Sequence, residues 1–166
     1  MYRNINDFIN DWALEVESTV KVFSAINDEA SHKKVHPDVR TLMRQAWHLT
    51  ETLPEMGLKA GLFTENLLEG KPEPENMASL IEIYKNYANQ LVKAAHSKWT
   101  DSVLEETIEM YGDSWTKGKT LQVFILHQAH HRGQMTVVMR LLGLAVPGVY
   151  GPSKEDWMSY GMEVPV

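Results

Sequence analysis

Four stretches of this chain place apolar residues every three or four positions, the spacing that puts them on one side of an α-helix. In the first, Ile5, Phe8, Ile9, Trp12, Val16, Val20, Phe23 and Ile26 form the stripe, Asn4 or Asn6 can cap its start, and the polar run Asn27–Lys34 ends it. The second is announced by His36-Pro37-Asp38 and lined by Val39, Leu42, Met43, Ala46, Leu49, Thr50 and Leu53. Pro54 has no amide hydrogen and is expected to end or kink that helix near Leu53, with Glu55–Leu68 continuing as a shorter, offset helix. Gly70-Lys71-Pro72-Glu73-Pro74 breaks the pattern. The third helix carries Met77, Leu80, Ile81, Tyr84, Tyr87, Ala88, Leu91 and Ala95, and stops near His96. The fourth, Lys119–Gly143, carries Leu121, Phe124, His127, His131, Met135, Val138 and Leu142, with Gly143 and Pro147 as stop signals.

Between the third and fourth helices the period is ambiguous. Thr107–Tyr111 reads as a short extended segment, while Val103, Leu104, Ile108 and Tyr111 also fit two helical turns, and Gly112 and Gly118 break whatever forms. No internal repeat is visible. The expectation is a single all-α domain over residues 1–166, a four-helix bundle with a short irregular or extended segment before the last helix. That last helix carries a second apolar face, Val123, Leu126, Val137 and Leu141, roughly a third of a turn from the first. A helix apolar on two faces is either deeply buried or shared with a partner chain, which predicts a homodimer with Val137 and Leu141 as contacts.

Composition narrows the function. At 166 residues, 43% hydrophobic and 23% charged, the chain can bury one core and is not a disordered segment. A net charge of −6 with no basic run disfavours nucleic acid as a partner. There is no cysteine, which removes disulfides, thiolate ligands and thiol nucleophiles and suits a reducing cytoplasm. The first residues are polar, and no stretch reaches the roughly 20 apolar residues of a membrane span, so a cytoplasmic protein away from membranes is expected.

The chemistry lies in the histidines. His127 and His131 are one turn apart on an apolar stripe, so both rings can reach one metal ion from a single helix. Buried histidines hydrogen-bonded to carbonyls or carboxylates give the competing reading. A third ligand has to come from elsewhere. His130 points about 100° away from His131; His32 and His36 fall in or beside a connection; His96 sits at a helix end beside lysines. His48 is mid-helix but lies off the centre of its stripe, as a surface histidine would. Glu51, three residues beyond His48, is a candidate fourth ligand or general base, or an exposed acid without a role. Gln134 can support a ligand or simply pack; Gly133 can admit a neighbouring helix; Trp47 and Trp157 can wall a pocket or pack.

The second-helix His48, the motif His127-x-x-x-His131-Arg132-Gly133-Gln134 and the tail Val146-Pro147-Gly148-Val149-Tyr150-Gly151-Pro152 through Trp157 together resemble the DinB, or YfiT-like, family, whose members are regarded as metalloenzymes. The likeness extends over nearly the whole chain. It implies an up-down-down-up four-helix bundle, often dimeric, with a divalent metal ion held by His48, His127 and His131. Some proteins resembling that family transfer a low-molecular-weight thiol to electrophiles or isomerise small acids.

Three imidazole ligands would leave a coordination position open on zinc or nickel, as catalytic sites do. The expectation is therefore a metal-dependent enzyme acting on a small molecule, by thiol S-transfer or hydrolysis. A non-catalytic, stress-associated metal binder is the alternative. No Ser-His-Asp set, phosphate loop or dinucleotide fingerprint competes.

Overall fold

The computed structural model describes residues 1–164; the last two residues of the domain expected over 1–166 lie outside it. It is mostly helical, with α1 (Ile5–Ser24), α2 (Asp28–Ser31), α3 (Leu42–Lys59), α4 (Met77–Lys98), α5 (Lys117–Leu141) and α6 (Lys154–Ser159). A two-stranded antiparallel sheet, β1 (Thr107–Met110) and β2 (Asp113–Thr116), precedes α5. The hairpin resolves the ambiguous segment in favour of extended chain, with Thr107 opposite Thr116 and Met110 opposite Asp113. Its two-residue turn, Tyr111-Gly112, has φ of 59° and 79°, the backbone that matches the right-handed twist of two short strands. Among the described residues no helix is long and apolar enough to cross a membrane.

Each long helix starts at a side-chain cap. Asn4 Oδ1 accepts from the amides of Asn6 and Asp7, Asn76 Oδ1 from Ser79, Thr41 Oγ1 from Arg44 and Thr116 Oγ1 from Lys119. The Thr41 cap moves the start of α3 beyond the expected His36-Pro37-Asp38. Those residues instead form a turn, in which the Val39 amide donates to the His36 carbonyl. Pro54 does not end α3 either. The helix runs on to Lys59, because Leu53, Pro54, Met56 and Gly57 are all buried and tertiary packing offsets the lost backbone bond. Beyond Lys59 the expected offset helix to Leu68 is replaced by turns.

The four long helices pack as a ring. α1 and α3 each contact both α4 and α5. α1 runs alongside α5 in the same direction: Tyr2 bonds Gly118, Trp12 meets Phe124, and Thr19 reaches Gln128. α4 runs against α1, with Trp12 Nε1 donating to the Ala88 carbonyl and the Phe23 ring edge-on to Tyr84. The core between them holds Phe8, Trp12, Phe23, Leu42, Met43, Leu49, Leu53, Leu80, Tyr84, Leu91, Leu121, Phe124, Met135 and Met139. Gly118 does not break α5. It lies in the first turn, where an added Cβ would stand 2.0 Å from the Tyr2 carbonyl oxygen, so the close approach of the N-terminal segment requires glycine.

Candidate metal centre

α5 is rotated about its axis relative to the stripe read from hydropathy. Its buried face runs Leu121, Phe124, Gln128, Arg132, Met135, Met139, while His127 and His131 sit at the edge of that face, half-buried. Polar residues in the interior fix this setting. Arg132 donates from Nη2 to Glu15 Oε2 at 2.5 Å and to the Tyr150 hydroxyl at 2.6 Å, and from Nη1 to Thr19 Oγ1 at 2.9 Å. Tyr150 in turn donates to Glu15 Oε1 at 2.6 Å. One turn earlier, Gln128 Oε1 accepts from Thr19 and from Tyr84. The Arg132 and Glu15 side chains are 2% and 7% exposed, so the pair is desolvated and holds only because its hydrogen-bonding groups are nearly all matched. With Gln128 and Arg132 held against α1 and α4, residues 127 and 131 face α3.

There they meet His48. The ring centroids of His48 lie 5.2 Å from His127 and 4.7 Å from His131, and those of His127 and His131 are 4.5 Å apart. One ring nitrogen from each of the three falls within 4.8 Å of the others. The off-centre position of His48 on α3 is what this requires, since the cluster sits on the flank where α3 and α5 meet rather than in the core. His130 is exposed, as are His32, His36 and His96.

The rings are oriented from behind. Gln134 Oε1 accepts from His131 Nδ1 at 2.7 Å while its amide nitrogen donates to His130 Nε2 at 3.0 Å. That leaves the His131 Nε2 lone pair directed at His127 Nε2, 3.2 Å away. Glu51 lies 3.5 Å from His48 Nδ1 and accepts from Arg44 Nη2 at 2.7 Å. It thus backs His48 and is engaged by Arg44, a place suited to orienting the ring rather than to ligation. Burial, reinforced by the charges of His131 and His48, brings the His127 pKa down to about 4. Burial also lowers His48, with the Arg40 charge adding to it and Glu51 opposing, and lowers His131, with Gln134 opposing. Three imidazoles that burial favours in the neutral form, each bringing one ring nitrogen to a common point, are a donor set suited to a divalent cation of borderline softness.

The cluster opens on two sides. Asp38, Val39, Arg40, Gln45, His131, Gln134, Val137 and Val138 line a cavity of about 620 Å³. On the other side, His48, Glu51, Thr52, Glu55, Asn66, Leu68, Glu69 and Gly70 surround a smaller one of about 240 Å³. Trp47 is a core residue, and Trp157 is half-buried on α6; neither lines these cavities. Gly133 faces open space, so no neighbouring helix approaches it.

The sequence model of the DinB family matches residues 1–163. The chain belongs to the DinB family. Within reach of this DinB protein is the uncharacterized protein YrdA of Bacillus subtilis (strain 168), 35% identical over 165 residues that make up 99% of each chain. The crystal structure of a DinB-like protein from Bacillus cereus ATCC 10987 superposes with a TM-score of 0.83 at 37% identity, covering 90% of this chain and 100% of that one. A second DinB-like protein, YjoA of Bacillus subtilis, shares the fold at a TM-score of 0.69 and 16% identity, over 89% of this chain and 99% of its own.

Sequence reasoning missed the residues that set the site from inside. Glu15, Thr19 and Gln128 drew no reading from the sequence, and Arg132 entered only as part of the histidine motif. Their signal was positional: Gln128 and Arg132 continue the step of Leu121 and Phe124, and Glu15 and Thr19 that of Phe8 and Trp12. The cavity-lining Arg40 and Gln45 carried no motif at all.

Proposed function

We propose that this DinB-family protein is a metal-dependent enzyme acting on a small molecule, with His48, His127 and His131 as the ligands of one divalent ion, zinc or nickel. The observation that carries the reading is the convergence of three neutral imidazoles from two helices at the mouth of a cavity large enough for a substrate. Held by these three histidines, a divalent ion would supply a Lewis-acidic position for a water or thiol. Around it, Gln134 and Glu51 hold the His131 and His48 rings, and the larger cavity admits the substrate. Thiol S-transfer is the reaction we favour, with hydrolysis second. The adjoining cavity favours an enzyme over a passive metal store, whose ion would be closed off by ligands.

The ring of long helices, with α1 beside α5, supports an up-down-down-up four-helix bundle. We further propose a homodimer through α5, where Leu126, Val137 and Leu141 are 56%, 60% and 67% exposed. Light scattering at high micromolar concentration should give twice the chain mass, and a monomer there would refute it. A cysteine-free chain suits the cytoplasm.

The test of the site is metal analysis of purified protein followed by a thiol-transferase and hydrolase panel. About one ion per chain is expected. His127→Ala, His131→Ala and His48→Ala should each remove most of the affinity, roughly 10–100-fold or more by the scale of ligand-shell losses, whereas His130→Ala should leave it nearly unchanged. A His48→Ala protein that titrates like the unmodified one would refute the ligand set.

A further inference from the structure

The chain contains five arginines. Four of them face an acid: Arg3 with Glu105, Arg44 with Glu51, Arg132 with Glu15 and Arg140 with Glu155. Among the described residues Arg40 alone has no ion-pair partner, and its guanidinium makes no hydrogen bond. It lines the larger cavity beside His131 and Gln134. Asp38, the one acid on that cavity wall, stands 3.8 Å from His36 instead.

Arg40 is also held in place through its backbone. Gln45, 5% exposed, donates from Nε2 to the Arg40 carbonyl at 2.9 Å, and Thr41 immediately after it caps α3. A cationic fork is therefore presented from a fixed point at the start of α3, on the same cavity as His131. Between the two, Val39, Val137 and Val138 supply an apolar wall.

We propose that this cavity binds a short aliphatic carboxylate, its carboxyl group on Arg40, its methylenes along Val39 and Val138, and its reacting end at the histidine cluster. A planar guanidinium matches a carboxylate with two parallel hydrogen bonds. The lining offers one cation and no second one, which fits one carboxylate group at that end of the ligand better than a phosphate dianion. The proposal names the substrate class for the histidine site and so rests on that site being the reacting centre.

The experiment uses glutarate and its diamide as probes, with the full chain both metal-stripped and zinc-loaded, and follows the methyl resonances of Val39 and Val138 by NMR. Glutarate should shift both methyls saturably in the stripped protein, and at least about tenfold more tightly with zinc, since its second carboxyl then has an ion to meet. Glutaramide should shift neither. Arg40→Gln should weaken glutarate about tenfold in both forms, while Arg40→Lys recovers part of the loss. Equal binding of acid and diamide, or glutarate binding indifferent to Arg40→Gln, would overturn the proposal. Inorganic phosphate displacing glutarate at lower concentration would overturn the carboxylate class. If no zinc is taken up, the metal assignment fails by itself, and the stripped-protein titration still decides the role of Arg40.

Discussion

His127 is the residue whose chemistry depends most on its surroundings. Its pKa is brought to about 4 by burial and by the neighbouring rings of His131, His48 and His130, while in the unfolded chain it returns to the ordinary value of about 6.5. The unfolded state therefore binds a proton between those values that the folded state refuses, so this contribution to stability is full above pH 6.5 and is lost as pH falls toward 4. His48 and His131 are lowered too and act in the same direction. Metal-stripped protein should show a urea midpoint that drops between pH 7 and pH 4.5, and His127→Gln should flatten part of that slope; an identical slope in the variant would reject the account. Arg132 and Glu15 give a prediction of a different kind. Removing one partner, as in Arg132→Met, strands a buried charge and should cost about 3–5 kcal/mol in chemical denaturation, whereas Glu15→Met with Arg132→Met should recover much of it. His127 and His131 were legible in the sequence as a pair one turn apart within a motif, whereas His48, off the centre of its stripe, came only from the family resemblance. The Glu15–Arg132 pair was not, because each residue alone reads as a surface charge and only the partner helix makes burial tolerable.

Among the elements, α5 carries two glycines that look alike in the sequence and differ in space. Gly133 is in mid-helix with open space around it, so Gly133→Ala should stabilise the protein by about 0.5–1 kcal/mol. Gly118→Ala gains the same helix propensity but drives a methyl against the Tyr2 backbone, and a net loss of about 1–3 kcal/mol is expected. Thermal melts of the two variants should move in opposite directions. The helices themselves were readable from period alone, and their ends were readable where a cap is local, as at Asn4. Two boundaries were not. Pro54 was expected to end or kink α3, and the helix does not end there, because propensity counts for less than the burial of Leu53, Pro54 and Met56 around it. The start of the same helix was placed too early because a proline followed by an acid is also a good turn. The hairpin before α5 was left open between two readings, since four-residue strands are too short for period to decide.

At the scale of the whole molecule, the tail after α5 folds back onto the first helix. Lys21 Nζ donates to the Gly148 carbonyl, Tyr150 completes the Glu15–Arg132 group, and Arg140 forms two hydrogen bonds to Glu155, whose carboxyl that pairing holds down to about 2. Tyr150→Phe keeps the ring over Arg132 but removes the hydroxyl that links both ions. It should therefore lower stability by about 1–3 kcal/mol, and a thermal melt matching the unmodified protein would show the tail to be ornamental to the pair. The ring arrangement behind this has a consequence in time. α1 packs on α4 and α5, which lie far along the chain, so during synthesis its apolar face has nothing to cover it. Roughly 50 residues separate the end of α1 from the start of α4, the first of its two partners to be made, which at ribosomal speed is roughly 3–10 s. For that interval Phe8, Trp12 and Phe23 are exposed on a nascent helix, the kind of surface that holding chaperones bind.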